Sequence, residues 1–156
     1  MIRFFSIAAA AALLSTPALA CDGFEVQDPY ARASTPMSTS GAAFMMMVNN
    51  GDTDCHVTGV RSEAAARTEL HTHIASDDGV MRMVHVEEGF IVPAGGHLAL
   101  QRGAEHVMFM GLTAPFEQGN LLSVTLEFAD GSEYDVEIPV DLERMPEMQM
   151  QGHDSN

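Results

Sequence analysis

"AEHVMFMGL", residues 104–112, sets His106, Met108 and Met110 at alternate positions, with Val107 and Phe109 between them. Successive side chains of a strand leave opposite faces. Read as a strand, this stretch puts an imidazole and two thioethers on one side and an apolar pair on the other. Val107 and Phe109 are expected to face a core, which leaves the second row to be explained.

Two more stretches repeat the arrangement. In "TELHTHI" (68–74) His71 and His73 alternate with Leu70, Thr72 and Ile74, and in "GVMRMVHV" (79–86) Met81, Met83 and His85 share one face. A single His-x-Met pair is most often packing or surface, because methionine fills irregular gaps. Three such rows in one small domain, in a chain with 12 Met and no Trp, favour metal binding.

The remainder reads as short strands separated by turn signals. "AAFMMMVNN" stops at "NNGD", "ARTELHTHIA" at "SDDG", and "FIVPAGG" punctuates itself with Pro-Ala-Gly-Gly. "LLSVTLEFA" and "EYDVEIPV" flank "DGS", an Asp-Gly hairpin signal. Pro29 is expected to break the opening strand "GFEVQDPYARAS", and "RSEAAART" could form a single helical turn. About nine or ten strands in one domain imply an all-β Greek-key β-sandwich or small barrel.

The ends differ from this body. "MIRFFSIAAAAALLSTPALA" (1–20) has a basic start, an apolar run and an Ala-Leu-Ala ending, the pattern of a cleaved secretory signal peptide. The run is short for a bilayer, and no later segment is long and apolar enough to be a membrane span. Residues 21–141 are then the folded domain of an exported, periplasmic protein. Lipidation of Cys21 is the alternative, disfavoured by the residues that precede it. Residues 142–156 lack strand periodicity yet carry Met145, Met148, Met150 and His153, and read as a flexible Met/His tail.

Loss of Arg3 with the leader takes the formal charge from −15 to −16, and the chain has no lysine. Such a surface repels phosphate backbones, so nucleic acid is excluded as a partner. The two cysteines, Cys21 and Cys55, are an even count in an oxidising compartment and are expected to form a disulfide. Closing that loop would contribute on the order of 3 kcal/mol in the chain-entropy account.

Thioether and imidazole together select a metal. Soft methionine sulfur favours Cu(I), imidazole suits copper, and a zinc site would recruit Cys or carboxylate rather than Met. Methionine also stays unprotonated at any pH and cannot be lost to a disulfide.

With these residues in view, "DPYARAS", "GAAFMMMVNNGD", "ELHTH", "DDGVMRMVHVEEGFIVPAGGHLAL" and "HVMFMGL" resemble the periplasmic copper chaperones of the PCu(A)C family, over about residues 25–140. The resemblance implies a cupredoxin-like β-sandwich that binds Cu(I) through a His, Met, His-x-Met set. It implies delivery of copper to a copper-accepting oxidase subunit, or to another assembly protein of the cytochrome c oxidase copper centre. Carried over by motif, the ligands are His71, Met83, His106 and Met108. The interval from His71 is one residue longer than the family's, which leaves Met81 beside Met83 as an alternative. His73 and Met110 are further candidates. By the same resemblance Met145, Met148, Met150 and His153 belong to a tail that helps hold Cu(II).

The implied protein is a non-enzymatic chaperone, monomeric, with a metal-bridged dimer as the alternative. No Ser-His-Asp or paired-carboxylate constellation suggests catalysis. Copper storage or resistance is one rival reading. Blue-copper electron transfer is another, but it needs a thiolate near the His/Met rows.

Overall fold

The computed structural model describes residues 21–145. Ten strands follow one another: β1 (Phe24–Arg32), β2 (Ser40–Asn49), β3 (Cys55–Arg61), β4 (Ala65–Ala75), β5 (Met81–His85), β6 (Phe90–Val92), β7 (His97–Leu100), β8 (His106–Leu112), β9 (Leu121–Phe128) and β10 (Glu133–Pro139). "RSEAAART" makes a tight turn and then runs straight into β4.

The strands divide into two antiparallel sheets. One has the order β1-β2-β8-β4-β5, with β7 pairing beside the second half of β2; the other is β10-β9-β3-β6. The chain changes sheet after β2, β3, β5, β6 and β8, which is how strands remote in sequence become neighbours. The all-β sandwich is therefore as the alternation of residues implied.

Most strands alternate buried and more open residues, while β5 lies outside the core between the sheets. Met45 and Met47 of β2, Leu70 of β4, Val107 and Phe109 of β8, and Val124 and Leu126 of β9 are all buried there. Burial of side chains this size stabilises by roughly 1.5–3 kcal/mol each against leaving them in water. Asn49, fully buried, donates to the Thr53 and Val92 carbonyls and accepts from the Gly51 amide, so no polar atom of its side chain is stranded. Phe116 stands edge-on to Phe109 at 5.5 Å between centroids, and a β-carbon added at Gly41 would lie 2.5 Å from its ring. Gly41→Ala is therefore expected to cost about 1–3 kcal/mol by overpacking. A lower urea midpoint at unchanged slope would show it; an unmoved midpoint would mean that the Phe116 ring yields freely.

Two features differ from the sequence expectation. Pro29 does not end the opening strand. Pairing to β2 resumes at Tyr30 after a bulge between Gln27 and Tyr30, where Asp28 takes φ of 48°. β1 is an edge strand, so a residue without an N–H costs it no ladder bond on the open side. Residues 142–144, assigned to the tail from sequence, also make contacts with the domain. Leu142 packs against the core, while the Arg144 guanidinium binds the Asp28 carboxylate and lies 4.2 Å over the Tyr30 ring. Met145 is exposed; Met148, Met150 and His153 lie outside the described residues.

Cys21 and Cys55 are joined in a disulfide, with their Cα atoms 5.7 Å apart. It ties the turn that precedes β1 to the first residue of β3 in the other sheet, and Cys55 is wholly buried.

Candidate metal centre

Three neighbouring strands, β5, β4 and β8, form the outer half of the larger sheet. Their core-facing residues fix which side the others take. Leu70, Val107 and Phe109 point inward, so Glu69, His71 and His73 of β4 share the opposite face with His106, Met108 and Met110 of β8. The register then sets who meets whom. His71 pairs with His106 across β8 and with His85 across β5. Glu69 lies opposite Met108, and His73 opposite Met83. His71 is thus the hub of a small lattice: imidazoles to either side, Met108 diagonal on one flank and Met83 diagonal on the other.

The rings confirm that these neighbours approach. The His71 centroid is 5.8 Å from His106 and 5.8 Å from His85, and His73 is 5.2 Å from His106. Met81 pairs with Ala75, one step further along β5 and away from this group. Met110 pairs with Arg67 and takes a contact from its guanidinium at 3.5 Å, also at the margin.

A cleft of about 570 Å³ opens on this face, and His73, Met83, His106 and Met108 line it, together with Ala42 and Phe44 of β2 and the cationic Arg32 and Arg102. His71 does not line the cleft; it is 12% exposed and lies beside the cleft's His106. Met83 is 48% exposed, so its side chain takes no part in the core. Among the described residues no three His, Cys, Asp or Glu side chains form a metal-holding group. A soft ion held here would therefore have to use the thioethers.

The imidazoles are held by acceptors. His71 Nε2 donates to the Glu69 carboxylate at 2.9 Å, and its Nδ1 is buried with no hydrogen-bond partner. The Ala104 carbonyl accepts from Nδ1 of both His106 (3.0 Å) and His73 (3.2 Å). Burial pushes His106 below the ordinary histidine value; the Ala104 bond opposes this, and the neighbouring His73 and His71 add to it. The bond from His71 lowers the Glu69 carboxyl, against a desolvation effect that raises it, with Arg67 assisting.

The depressed value of His106 has a sign for stability. The unfolded chain takes up a proton at about pH 6.5, where the folded one does not. Stability of the metal-free protein is thus complete above that pH and declines as pH falls from there towards the lower folded value. Melting His106→Gln beside the wild type between pH 7 and 5 should show a shallower decline in the variant. Parallel curves would place the acid sensitivity elsewhere.

The His/Met rows are legible in the sequence, but Glu69 is not marked there as part of the site, and His85 appears only as a member of a row. Glu69 was visible two residues before His71 on the same strand face. Nothing local marks a carboxylate as a histidine's hydrogen-bond partner until the fold removes competing water.

Two antiparallel sheets around one core, with this His/Met face on the larger, make a cupredoxin-like β-sandwich. Solved PCuAC domains share it. The copper-bound PCuAC domain from PmoF2 superposes with a TM-score of 0.63 at 19% identity, covering 79% of this chain and 96% of that one. Apo-DR1885 from Deinococcus radiodurans gives 0.61 at 28% identity, over 93% and 95% of the two chains. Its Cu(I) form gives 0.58 at 30% identity, over 78% and 82%. Residues 24–140 match the family described as "Putative lipoprotein LpqE-like", and the chain belongs to that family. A lipoprotein so described from Leifsonia xyli subsp. xyli is 39% identical over 125 residues, spanning 80% of this chain and 74% of the relative.

Proposed function

We propose that this protein is an exported copper chaperone that holds Cu(I) between β5, β4 and β8 through His71, Met83, His106 and Met108. The observation that carries the reading is the register. It sets His106 directly beside His71 and puts Met108 and Met83 at diagonals to His71 on the two flanking strands, with Met81 a step further along β5. Soft sulfur with imidazole suits Cu(I), and the orphaned Nδ1 of His71 is a buried nitrogen that an ion would satisfy. The copper-bound states of the PmoF2 domain and DR1885 support the same cargo. His73, on the cleft wall beside His106, is a further donor during loading or release.

A blue-copper electron-transfer site is disfavoured: the sequence has two cysteines, and both sulfurs are committed to the disulfide. The same bond bears on anchoring, since a sulfur bridged to Cys55 cannot carry a thioether-linked lipid. Among the described residues no helix is long and apolar enough to cross a membrane. The recipient is a copper-accepting oxidase subunit or another copper-assembly protein, which would approach the open cleft and exchange ligands one at a time. The chaperone itself works as a monomer and catalyses nothing.

Titration of the metal-free protein with Cu(I) against a chromophoric chelator tests the reading directly. One tightly held ion per chain is expected, and no competition with the chelator would refute it. The tail gives a second expectation. Deleting residues 146–156 spares Leu142 and Arg144 while removing Met148, Met150 and His153. Cu(I) binding should be unchanged and Cu(II) binding weakened, because Cu(II) prefers nitrogen and oxygen ligands and a tethered segment has a high effective concentration. Equal Cu(II) affinity in both forms would leave the tail without a role in copper binding.

A further inference from the structure

We propose that Glu69 is a positioning residue that fixes His71 as the Nε2–H tautomer, so that His71 takes copper through Nδ1, while the Ala104 carbonyl fixes His106 in the opposite tautomer and leaves its Nε2 for the ion. This rests on the copper reading above and adds which atoms bind and what orients them.

Donors and acceptors decide the tautomers. An ionised carboxylate and a backbone carbonyl can only accept, so each ring nitrogen facing one must carry the hydrogen. Glu69 Oε2 is 2.9 Å from His71 Nε2, and the Ala104 oxygen is 3.0 Å from His106 Nδ1. A neutral imidazole has a single N–H, so the remaining nitrogens, His71 Nδ1 and His106 Nε2, hold lone pairs. His71 Nδ1 is buried and partnerless. A nitrogen in that condition costs free energy unless something accepts its lone pair. Histidines that bind metals regularly donate their other N–H to a carboxylate or carbonyl, which orients the ring and raises its basicity.

The carboxylate is held for this task. Glu69 and His71 are two apart on β4 and therefore on one face, and the side chain of Glu69 is only 17% exposed. Arg67 Nε binds its other oxygen, Oε1, at 3.1 Å. His85 Nδ1 stands 3.9 Å from Oε2, beyond hydrogen-bond reach, so His71 has no rival for that oxygen. Met108 lies directly across from Glu69, which puts the orienting group beside the thioether that shares the ion with His71.

Long-range ¹H–¹⁵N imidazole spectra of the full-length, metal-free protein read the tautomers without copper. His71 should be protonated at Nε2 and His106 at Nδ1. Glu69→Leu removes the acceptor; His71 should then populate both tautomers, and Cu(I) affinity should fall about 10–100-fold. Glu69→Gln, which matches glutamate in shape and can turn its amide oxygen to the ring, should restore the single tautomer and most of the affinity; a merely steric role would leave the tautomer the same in every variant. His71 protonated at Nδ1 in the wild type, or Cu(I) affinity untouched in Glu69→Leu, would overturn the proposal. A wild type that binds no Cu(I) would instead overturn the copper reading, because the metal-free spectra decide the positioning of His71 on their own.

Discussion

Replacing Met83 and Met108 together with leucine is expected to leave a folded protein that no longer holds Cu(I). Leucine matches methionine closely in volume and apolarity, so the exchange should cost less than about 1.5 kcal/mol of stability. Both side chains stand on the outer face of the sheet rather than in the core, which makes even that cost an upper figure. The metal loses its two soft donors at once, leaving His71 and His106 alone. Loss of one outer-sphere partner typically costs 10–100-fold, so loss of two direct ligands should exceed about 100-fold. Met45 and Met47, buried in the core of the same sheet, provide the control. Leucine at those positions should perturb stability and leave copper affinity alone. Equal Cu(I) affinity in the Met83/Met108 variant and the wild type would remove the thioethers from the site.

The second large effect concerns the disulfide. Cys21→Ala opens a loop of 34 residues in sequence separation and frees the fully buried Cys55 as a thiol. Removing a native bridge from a small exported domain typically costs 2–5 kcal/mol. For a domain of this size that lowers Tm by roughly 10 °C or more. The midpoint should drop similarly when the wild type is reduced, and Cys21→Ala should be indifferent to reductant. Non-reducing mass spectrometry of protein recovered from an oxidising compartment should find the Cys21 and Cys55 peptides linked; two free thiols would contradict the pairing.

The fold was readable because most strands are half-buried and alternate. Val107 and Phe109 against Met108 and Met110, or Leu70 against Glu69 and His71, announce both the strand and its two faces. The same pattern could not say which methionines face the cleft and which the core. Met45 and Met47 alternate on β2 as regularly as Met108 and Met110 do on β8, yet they fill the core. Facing depends on which side of the sheet the second layer covers, and that is a property of the whole sandwich. The choice between Met81 and Met83 was open for a related reason. Spacing along the chain passes through the "SDDG" turn, whereas ligation depends on register across strands, and β4–β5 pairing sets Met83 against His73 and Met81 against Ala75. Pro29 misled because the edge position of β1 was not visible locally. Glu69 was missed because its role arises only when His71 loses other partners. His71 and His73 share one face of β4, as their spacing implies, but only His73 lines the cleft, while His71 lies beside it, bonded to Glu69.

X-ray absorption at the copper edge of the Cu(I)-loaded, full-length protein reads the ligand set itself. The site proposed here predicts one copper per chain with a mixed first shell, imidazole nitrogen and thioether sulfur together, and disappearance of the sulfur contribution in the Met83/Met108 leucine variant. A first shell of nitrogen and oxygen alone in the wild type would contradict it.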